Sequence, residues 1–406
     1  MTKKLAIRSI NSPTNHDFVL LLSFLGLGRR NSTGAPLILL ALACSATLAI
    51  WSADPFTEWT YECGIFLLAG WVTLRSNVHI GPTLAAAAVL AVWGFGQLAM
   101  GATVYRYATL NASLRVAALG ATALVASVVF AQVAARDRLL RWLAWFGFLL
   151  SIASVVAYYT SPGKILWLFA SPYPDVWGPF LSRNNFAQFL ELAFPVSLWL
   201  GCRTYRARRG TLYLVMSAAM LAAGLASASR AGAVLLILEA ALVFALVRPP
   251  AWRRLIPLFA VGAMALAALA GGEVLIGRLQ DSDPFRDRRE IFAASLQMIE
   301  ARPWSGYGLG NFATAYPEFA QFDPGAVVEH AHNDWLEWAT DGGWPYAAAW
   351  MLLAMATFRP ALRSIWGIGV PALFIHALVD YPFARLGVAA WLFILAGTLD
   401  REGRPE

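Results

Sequence analysis

Apolar runs and short polar connections alternate along most of this chain. Runs fall near 35–51, 62–74, 83–103, 117–135, 142–160, 186–202, 211–229, 231–247, 255–271, 343–357, 365–379 and 388–399. A helix needs about 20 apolar residues to cross a bilayer core of about 30 Å, and most of these runs approach that length. The pattern predicts an all-α integral membrane protein with about twelve transmembrane helices. It divides the chain into a cytoplasmic N-terminal segment (1–34), nine spans (35–271), a large outward loop (272–342), three further spans (343–399) and a cytoplasmic tail (400–406).

Composition narrows the class. With 59% hydrophobic against 14% charged residues in 406, a set of soluble domains is excluded, because no water-soluble core of this length hides so much apolar surface. Seventeen Trp, twelve Tyr and twenty-four Phe suit interfacial aromatic belts as well as packing within a bundle. Cys44, Cys63 and Cys202 lie in or at the ends of apolar runs, with neither metal-ligand spacing nor a disulfide framework. The first seventeen residues are polar and basic, the run Phe18–Leu27 is short and no small-residue cleavage pattern follows, so no removable signal peptide is expected.

The net charge of +7 raises the question of a nucleic-acid partner, but the 31 basic residues fall between the apolar runs and point to topology instead. Lys3, Lys4, Arg8, Arg29 and Arg30 precede the first run and place the N-terminus in the cytoplasm. Every second connection should then be basic. Arg136, Arg138 and Arg141, then Arg203, Arg206, Arg208 and Arg209, then Arg248, Arg253 and Arg254, then Arg359 and Arg363 obey this rule. Arg106 and Arg115, assigned to an outward loop, do not.

Two outward connections are large, 161–185 and 272–342. The second carries five Arg against twelve Asp or Glu, a net of minus seven. Structureless loops of that length are uncommon in compact proteins, so short helices are expected within it, at Ile291–Ile299 and at Val327–Trp338, the latter lying against the membrane. No internal repeat is visible, which argues against inverted-repeat transporter folds.

The outward ends of the runs concentrate the polar chemistry. Arg183 stands in Ser-Arg-Asn-Asn, Arg230 in Ser-Ala-Ser-Arg-Ala-Gly, and Asp380 in His-Ala-Leu-Val-Asp-Tyr-Pro, while the loop adds Arg288, Arg289 and the segment His330-Ala-His332-Asn333-Asp334. All are predicted on one side of the membrane. Arginine presents a planar fork of donors to phosphate oxygens, so this arrangement suits an anionic, lipid-linked donor such as a polyprenyl pyrophosphate. An arginine at a helix end also commonly snorkels to headgroups, and Arg183 can serve simply as an interfacial anchor. His330 and His332 are open to three readings: a metal pair with Asp334 as third ligand, a base that takes a proton from a sugar hydroxyl, or structural hydrogen bonding. Gly306-Tyr-Gly308-Leu-Gly310 lacks the spacing of a dinucleotide loop and reads as a tight turn. Glu191 and Glu239 lie inside spans, where a transporter would use them as proton carriers and an enzyme would use them to hold an arginine or line a cavity.

Taken together, the motifs resemble the O-antigen ligase and O-antigen polymerase superfamily. The likeness rests on Ser182-Arg183-Asn184-Asn185-Phe186-Ala187, Ser229-Arg230-Ala231-Gly232, and the run from Arg288-Arg289-Glu290-Ile291-Phe292 through Pro303, Gly306, Gly308, Gly310, Asn311 and Phe312. It continues in His330-Ala331-His332-Asn333-Asp334-Trp335-Leu336, closing on Gly342-Gly343, and in His376-Ala-Leu-Val-Asp380. It covers about residues 178–400. The resemblance implies a membrane glycosyltransferase of the type C-like fold in the bacterial inner membrane, multi-pass, with its active site on the periplasmic side. It further implies a metal-independent, cofactor-free, inverting transfer from undecaprenyl pyrophosphate to a hydroxyl of a lipid-linked or other glycan acceptor, the lipid A core or a similar sugar. The family's catalytic histidine falls on His332 and its phosphate-binding arginines on Arg230 and Arg288, with Arg183 as a further donor-site residue. Arg289, His330, Asn333, Asp334 and Asp380 are supporting candidates. Phe292 stands where the family commonly has Trp, and the Arg288-Arg289 doublet leaves the register open by one.

The same residues would serve a polymerase of O-antigen or exopolysaccharide, or a protein O-oligosaccharyltransferase. From another class, a proton-coupled transporter or lipid-linked glycan flippase is suggested by Glu191, Glu239 and the span count. The acidic outward loop with its His-Asn-Asp segment argues against it, since a transporter has no need of a folded lid on one face.

Overall fold

The computed structural model describes residues 34–51, 55–173, 176–250, 252–269, 286–321 and 327–401, with Gly277 and Gly325; of 286 and 287 it describes the backbone alone. Residues 1–33, on which the cytoplasmic N-terminus and the missing signal peptide rest, lie outside the described residues, as do the tail 402–406 and most of 270–285.

The first half of the chain forms α1 (Gly34–Leu48), α2 (Pro55–Arg75), α3 (Pro82–Met100), α4 (Arg106–Val129) and α5 (Val133–Thr160). A small hairpin follows, β1 (Lys164–Ile165) paired antiparallel with β2 (Phe169–Ala170). The second half begins with α6 (Arg183–Arg203), α7 (Arg208–Ala226), α8 (Arg230–Val247) and α9 (Trp252–Leu269). Between α9 and the next long helix lie α10 (Arg286–Ala301) and the short α11 (Phe312–Ala315), in the segment expected as a large loop. The chain closes with α12 (Asp334–Arg363), α13 (Gly369–His376) and α14 (Leu386–Leu399). Among the described residues, six helices are long and apolar enough to cross a membrane: α3, α4, α5, α7, α8 and α9. Shorter apolar helices stand at α1, 365–376 and α14. The protein is a mostly helical, multi-pass membrane protein.

One predicted run is displaced. The stretch 117–135 straddles the break between α4 and α5, and α4 begins eleven residues earlier, at Arg106. Arg106 and Arg115 concealed its first half from a reading of apolar runs. Neither sits in a loop: Arg115 lies in mid-helix, where Glu58 of α2 pairs with it through both carboxylate oxygens, the Nη2–Oε2 contact being 2.8 Å. The local neutralisation explains why Arg115 breaks the charge rule.

Helix α6 is the axis of the second half. Every residue from Asn185 to Leu198 is buried, and α5, α7, α8 and α13 all pack on it. Small residues allow the approach: a Cβ at Gly369 would stand 2.0 Å from the Glu191 carbonyl, and one at Gly232 would stand 2.4 Å from Ala187 Cβ. The second contact brings the starts of α6 and α8 to one level at one end of the bundle.

The loop is a folded lid with a core of its own, where Ile291, Ala294 and Met298 of α10 meet Tyr307, Phe312, Tyr316 and Ala331. The helix expected at 291–299 is present within α10. The one expected at 327–338 is not: residues 327–333 are non-helical, and α12 starts at Asp334. Its start is set locally, because Asn333 caps the helix by accepting from the Leu336 amide at 3.1 Å and His332 is turned into the left-handed region at φ 52°. Helix α12 kinks at Gly343, φ 72°, where the Trp344 amide donates to the Pro303 carbonyl at 2.8 Å.

The Gly306–Gly310 turn anchors the lid to the first half. All three glycines have positive φ, and Gly308 passes so close to Thr103 and Thr109 that a side chain would collide with both. Gln97 of α3 donates to the carbonyls of Ser305 (2.7 Å) and Asp341 (2.9 Å) and accepts from the Leu309 amide at 3.1 Å. Asn311 accepts from the Tyr105 amide at 2.9 Å and donates to Thr109 Oγ1 at 2.8 Å.

Candidate functional site

The corner between α13 and α14, residues 377–385, gathers the polar candidates. The Asp334 amide donates to the carbonyls of Ala377 (2.9 Å) and Asp380 (3.2 Å), and the Asp334 carboxyl accepts from the Phe383 amide at 3.0 Å. The first turn of α12 is thereby stapled to the corner, and the Trp335 indole adds a bond to the Phe374 carbonyl at 3.0 Å. Burial, with Glu337 beside it, pushes the Asp334 carboxyl well above the ordinary carboxylate range. Asp334 is thus a structural acceptor rather than a free carboxylate.

His332 faces Asp380. Its Nδ1 is 3.8 Å from Asp380 Oδ1, an ion contact longer than a hydrogen bond, and Nδ1 has no hydrogen-bond partner among the described residues. The His332 side chain is 35% exposed and that of Asp380 3%, so an accessible ring backs onto a sealed carboxylate. Burial works to raise the Asp380 carboxyl, but the neighbouring His332 ring, then His376 and Arg288, outweigh it and hold it below the usual range. The Asp380 Oδ1 also accepts from the Tyr381 amide at 3.0 Å.

His330 has a different partner. Glu337 grips it through Nδ1 at 2.9 Å and takes the Ala331 amide at 2.8 Å with its other oxygen, so the 330–331 turn is clamped onto α12. The His330 ring stacks on Tyr381 at 4.4 Å, and the His332 ring meets the same tyrosine edge-on at 5.0 Å. His330, His332 and Asp334 are therefore held by separate partners and do not converge as a ligand set; among the described residues no three metal-type ligands do.

The four arginines divide. Half-buried Arg288, at the start of α10, donates through Nη1 to the Val379 carbonyl, next to Asp380. Its neighbour Arg289 is exposed. Arg183 and Arg230 open α6 and α8 behind the caps Ser182 and Ser229, whose hydroxyls accept from the amides of Asn184 (3.2 Å) and Gly232 (3.3 Å). His376, at the end of α13, bonds Glu191, two turns into α6, at 2.6 Å. Direct contacts thus join Arg288 and His332 to the α13–α14 corner, while Arg183 and Arg230 stand at helix starts, whose dipoles favour an anion.

Glu191 holds no arginine. Its partner is His376, and both side chains are sealed, at 0% and 1% exposure. Glu239 is buried on α8, and its carboxylate oxygens have no hydrogen-bond partner among the described residues. Three residues the sequence motifs passed over belong to the site: Tyr381, shared by the two histidines; Glu337, the clamp; and Arg385, lying over Tyr381 at 5.0 Å. Glu337 was legible in principle, being one helical turn past the Asn333 cap.

A comparison with curated proteins finds no match. A comparison with family models finds one, the O-antigen ligase family, over residues 215–351. That stretch holds Arg230, Arg288 and His332 and leaves Arg183 and Asp380 outside. Residues 215–351, about a third of the chain, are thus similar to the O-antigen ligase family.

Proposed function

We propose that the protein transfers a glycan from undecaprenyl pyrophosphate to a sugar hydroxyl of a lipid-linked acceptor, at the periplasmic face of a bacterial inner membrane that it crosses about twelve times. The observation that carries the reading is the half-exposed His332 backed by the buried carboxylate of Asp380, with Arg288 bonded to the adjoining Val379. His332 takes the proton of the acceptor hydroxyl, whose oxygen attacks the anomeric carbon on the face opposite the carrier. The bond from that carbon to the pyrophosphate oxygen breaks, and the electron pair leaves on the pyrophosphate. Because Nδ1 faces Asp380, Nε2 is the nitrogen that meets substrate, and Asp380 stabilises the imidazolium that forms.

Arg288, Arg230 and Arg183 bind the pyrophosphate oxygens and offset the charge that develops on them. A preorganised donor of this kind contributes about 3–4 kcal/mol to the transition state. No general acid is required, because the pyrophosphate is already a good leaving group. The inverted product follows from this single displacement.

Purified protein given undecaprenyl-pyrophosphate glycan and a lipid A core acceptor should form the joined product in chelator, and His332→Ala should abolish it. Retained turnover in His332→Ala, or loss of turnover with chelator, would falsify the base assignment. Product in which donor glycans are joined to each other would make the enzyme a polymerase. Proton uptake in sealed vesicles that survives His332→Ala and vanishes in Glu239→Gln would establish a transporter instead.

A further inference from the structure

A cavity of about 320 Å³ opens beside the histidine segment, with His330 in its wall. Asn111 and Arg115 of α4 form one wall, and Glu337 of α12 with His330 forms the other. Trp338 and Trp350, stacked at 4.1 Å and nearly parallel, contribute to its lining. We infer that this cavity is the acceptor site and takes a neutral, hydroxyl-rich sugar ring; the inference rests on the glycosyl-transfer reading and assigns the acceptor half of it.

Its chemistry and its position both support this. The volume is at the low end of ligand pockets, about 300–1,000 Å³, which suits a sugar ring with part of its neighbour and excludes a long glycan. The polar wall groups, among them Asn111, Arg115, His330 and Glu337, suit the hydroxyls of a sugar ring. Asn111 is half-buried and makes no hydrogen bond with a described residue, so its amide offers both a donor and an acceptor. The charge of Arg115 is already matched by Glu58, and the lining adds Glu329 and Glu337. Anionic sugars are therefore disfavoured here, in contrast to the arginine side.

None of Arg183, Arg230 and Arg288 lines the cavity, whereas His330 does. One residue, Ala331, separates His330 from His332, a reach of at most about 7 Å. The cavity thus adjoins the segment that carries the base, while the three donor-side arginines stay out of its wall.

The test uses full-length protein in nanodiscs and the methyl glycosides of glucose, galactose and mannose as probes, read by saturation-transfer NMR. At least one glycoside should bind saturably, methyl glucuronide more weakly. Asn111→Ala should weaken glycoside binding by about fivefold to tenfold, the loss of a hydrogen bond or two. Ala313→Trp, which fills the cavity, should abolish it. Neither variant should alter binding of undecaprenyl-pyrophosphate glycan, while Arg288→Ala should lose that donor and keep the glycoside. Absence of glycoside binding, equal binding of the glucuronide, or indifference to both cavity variants overturns the inference. Failure of the wild type to bind the donor overturns the function reading instead. Should Ala313→Trp fail to fold, Asn111→Ala decides alone, since its side chain holds nothing together.

Discussion

Two histidines on either side of the α13–α14 corner each face a carboxylate, and the contrast between them separates structure from chemistry. His376 and Glu191 touch at 2.6 Å and are sealed within the bundle. His332 and Asp380 are 3.8 Å apart, the ring is about a third exposed, and the backbone beneath it is in a conformation that costs a non-glycine residue energy. A short, buried pair holds helices together; a loose, accessible pair on a strained turn is free to exchange a proton. The family match covers His332 and leaves His376 outside.

The largest expected effect breaks the pair at the mouth. His332→Ala should lower transfer by about 10²–10⁴-fold, the usual weight of a general base, with little change in melting temperature. His332→Asn, which tolerates the left-handed backbone better, should be equally inactive and at least as stable. Next comes the sealed pair. Glu191→Ala should cost about 3–5 kcal/mol of stability by leaving His376 buried without its partner, and Glu191→Leu with His376→Leu should recover most of it in a denaturation series. If Glu191→Ala instead melts like the wild type yet abolishes transfer, the sealed pair belongs to the chemistry and the contrast fails.

Asp380→Asn sharpens the comparison further. An ion contact at this distance in a partly exposed site is worth about 1–2 kcal/mol, so kcat should fall about tenfold. Because the Asp380 carboxyl is held below its usual range, its contribution is present above the ordinary value of about 3.9 and is lost only as pH falls through the lowered one. The smallest effect belongs to Asp334, shifted the opposite way. Its native-state contribution is present below the ordinary carboxylate value and lost as pH rises through the raised one. Asp334→Asn should therefore leave stability within about 1 kcal/mol at neutral pH and flatten the decline of melting temperature toward alkaline pH.

The helices were legible because a bilayer core makes apolar length the dominant signal, and most of the predicted runs overlap described helices, six of them long and apolar enough to span. The start of α4 was hidden by Arg115, whose charge is cancelled by Glu58, 57 residues away in sequence. The lid helix at 291–299 was readable from its periodicity, whereas 327–333 was not, because contacts with Glu337 and the Asn333 cap override a weak helical pattern. At the site the motifs singled out Arg230, Arg288, His332 and Asp380, but not Tyr381, Glu337 or Arg385.

Residue order along the chain specifies the membrane class, the likeness to the O-antigen ligases and the residue types suited to a pyrophosphate, since all of these depend on local pattern. Which carboxylate faces which histidine, which of Arg288 and Arg289 reaches the corner, and the cavity beside His330 depend on helices far apart in sequence packing at one end of the bundle. Pairings of that kind are set by close contacts between small residues such as Gly232 and Ala187, and long-range contacts leave no periodic trace in a single sequence.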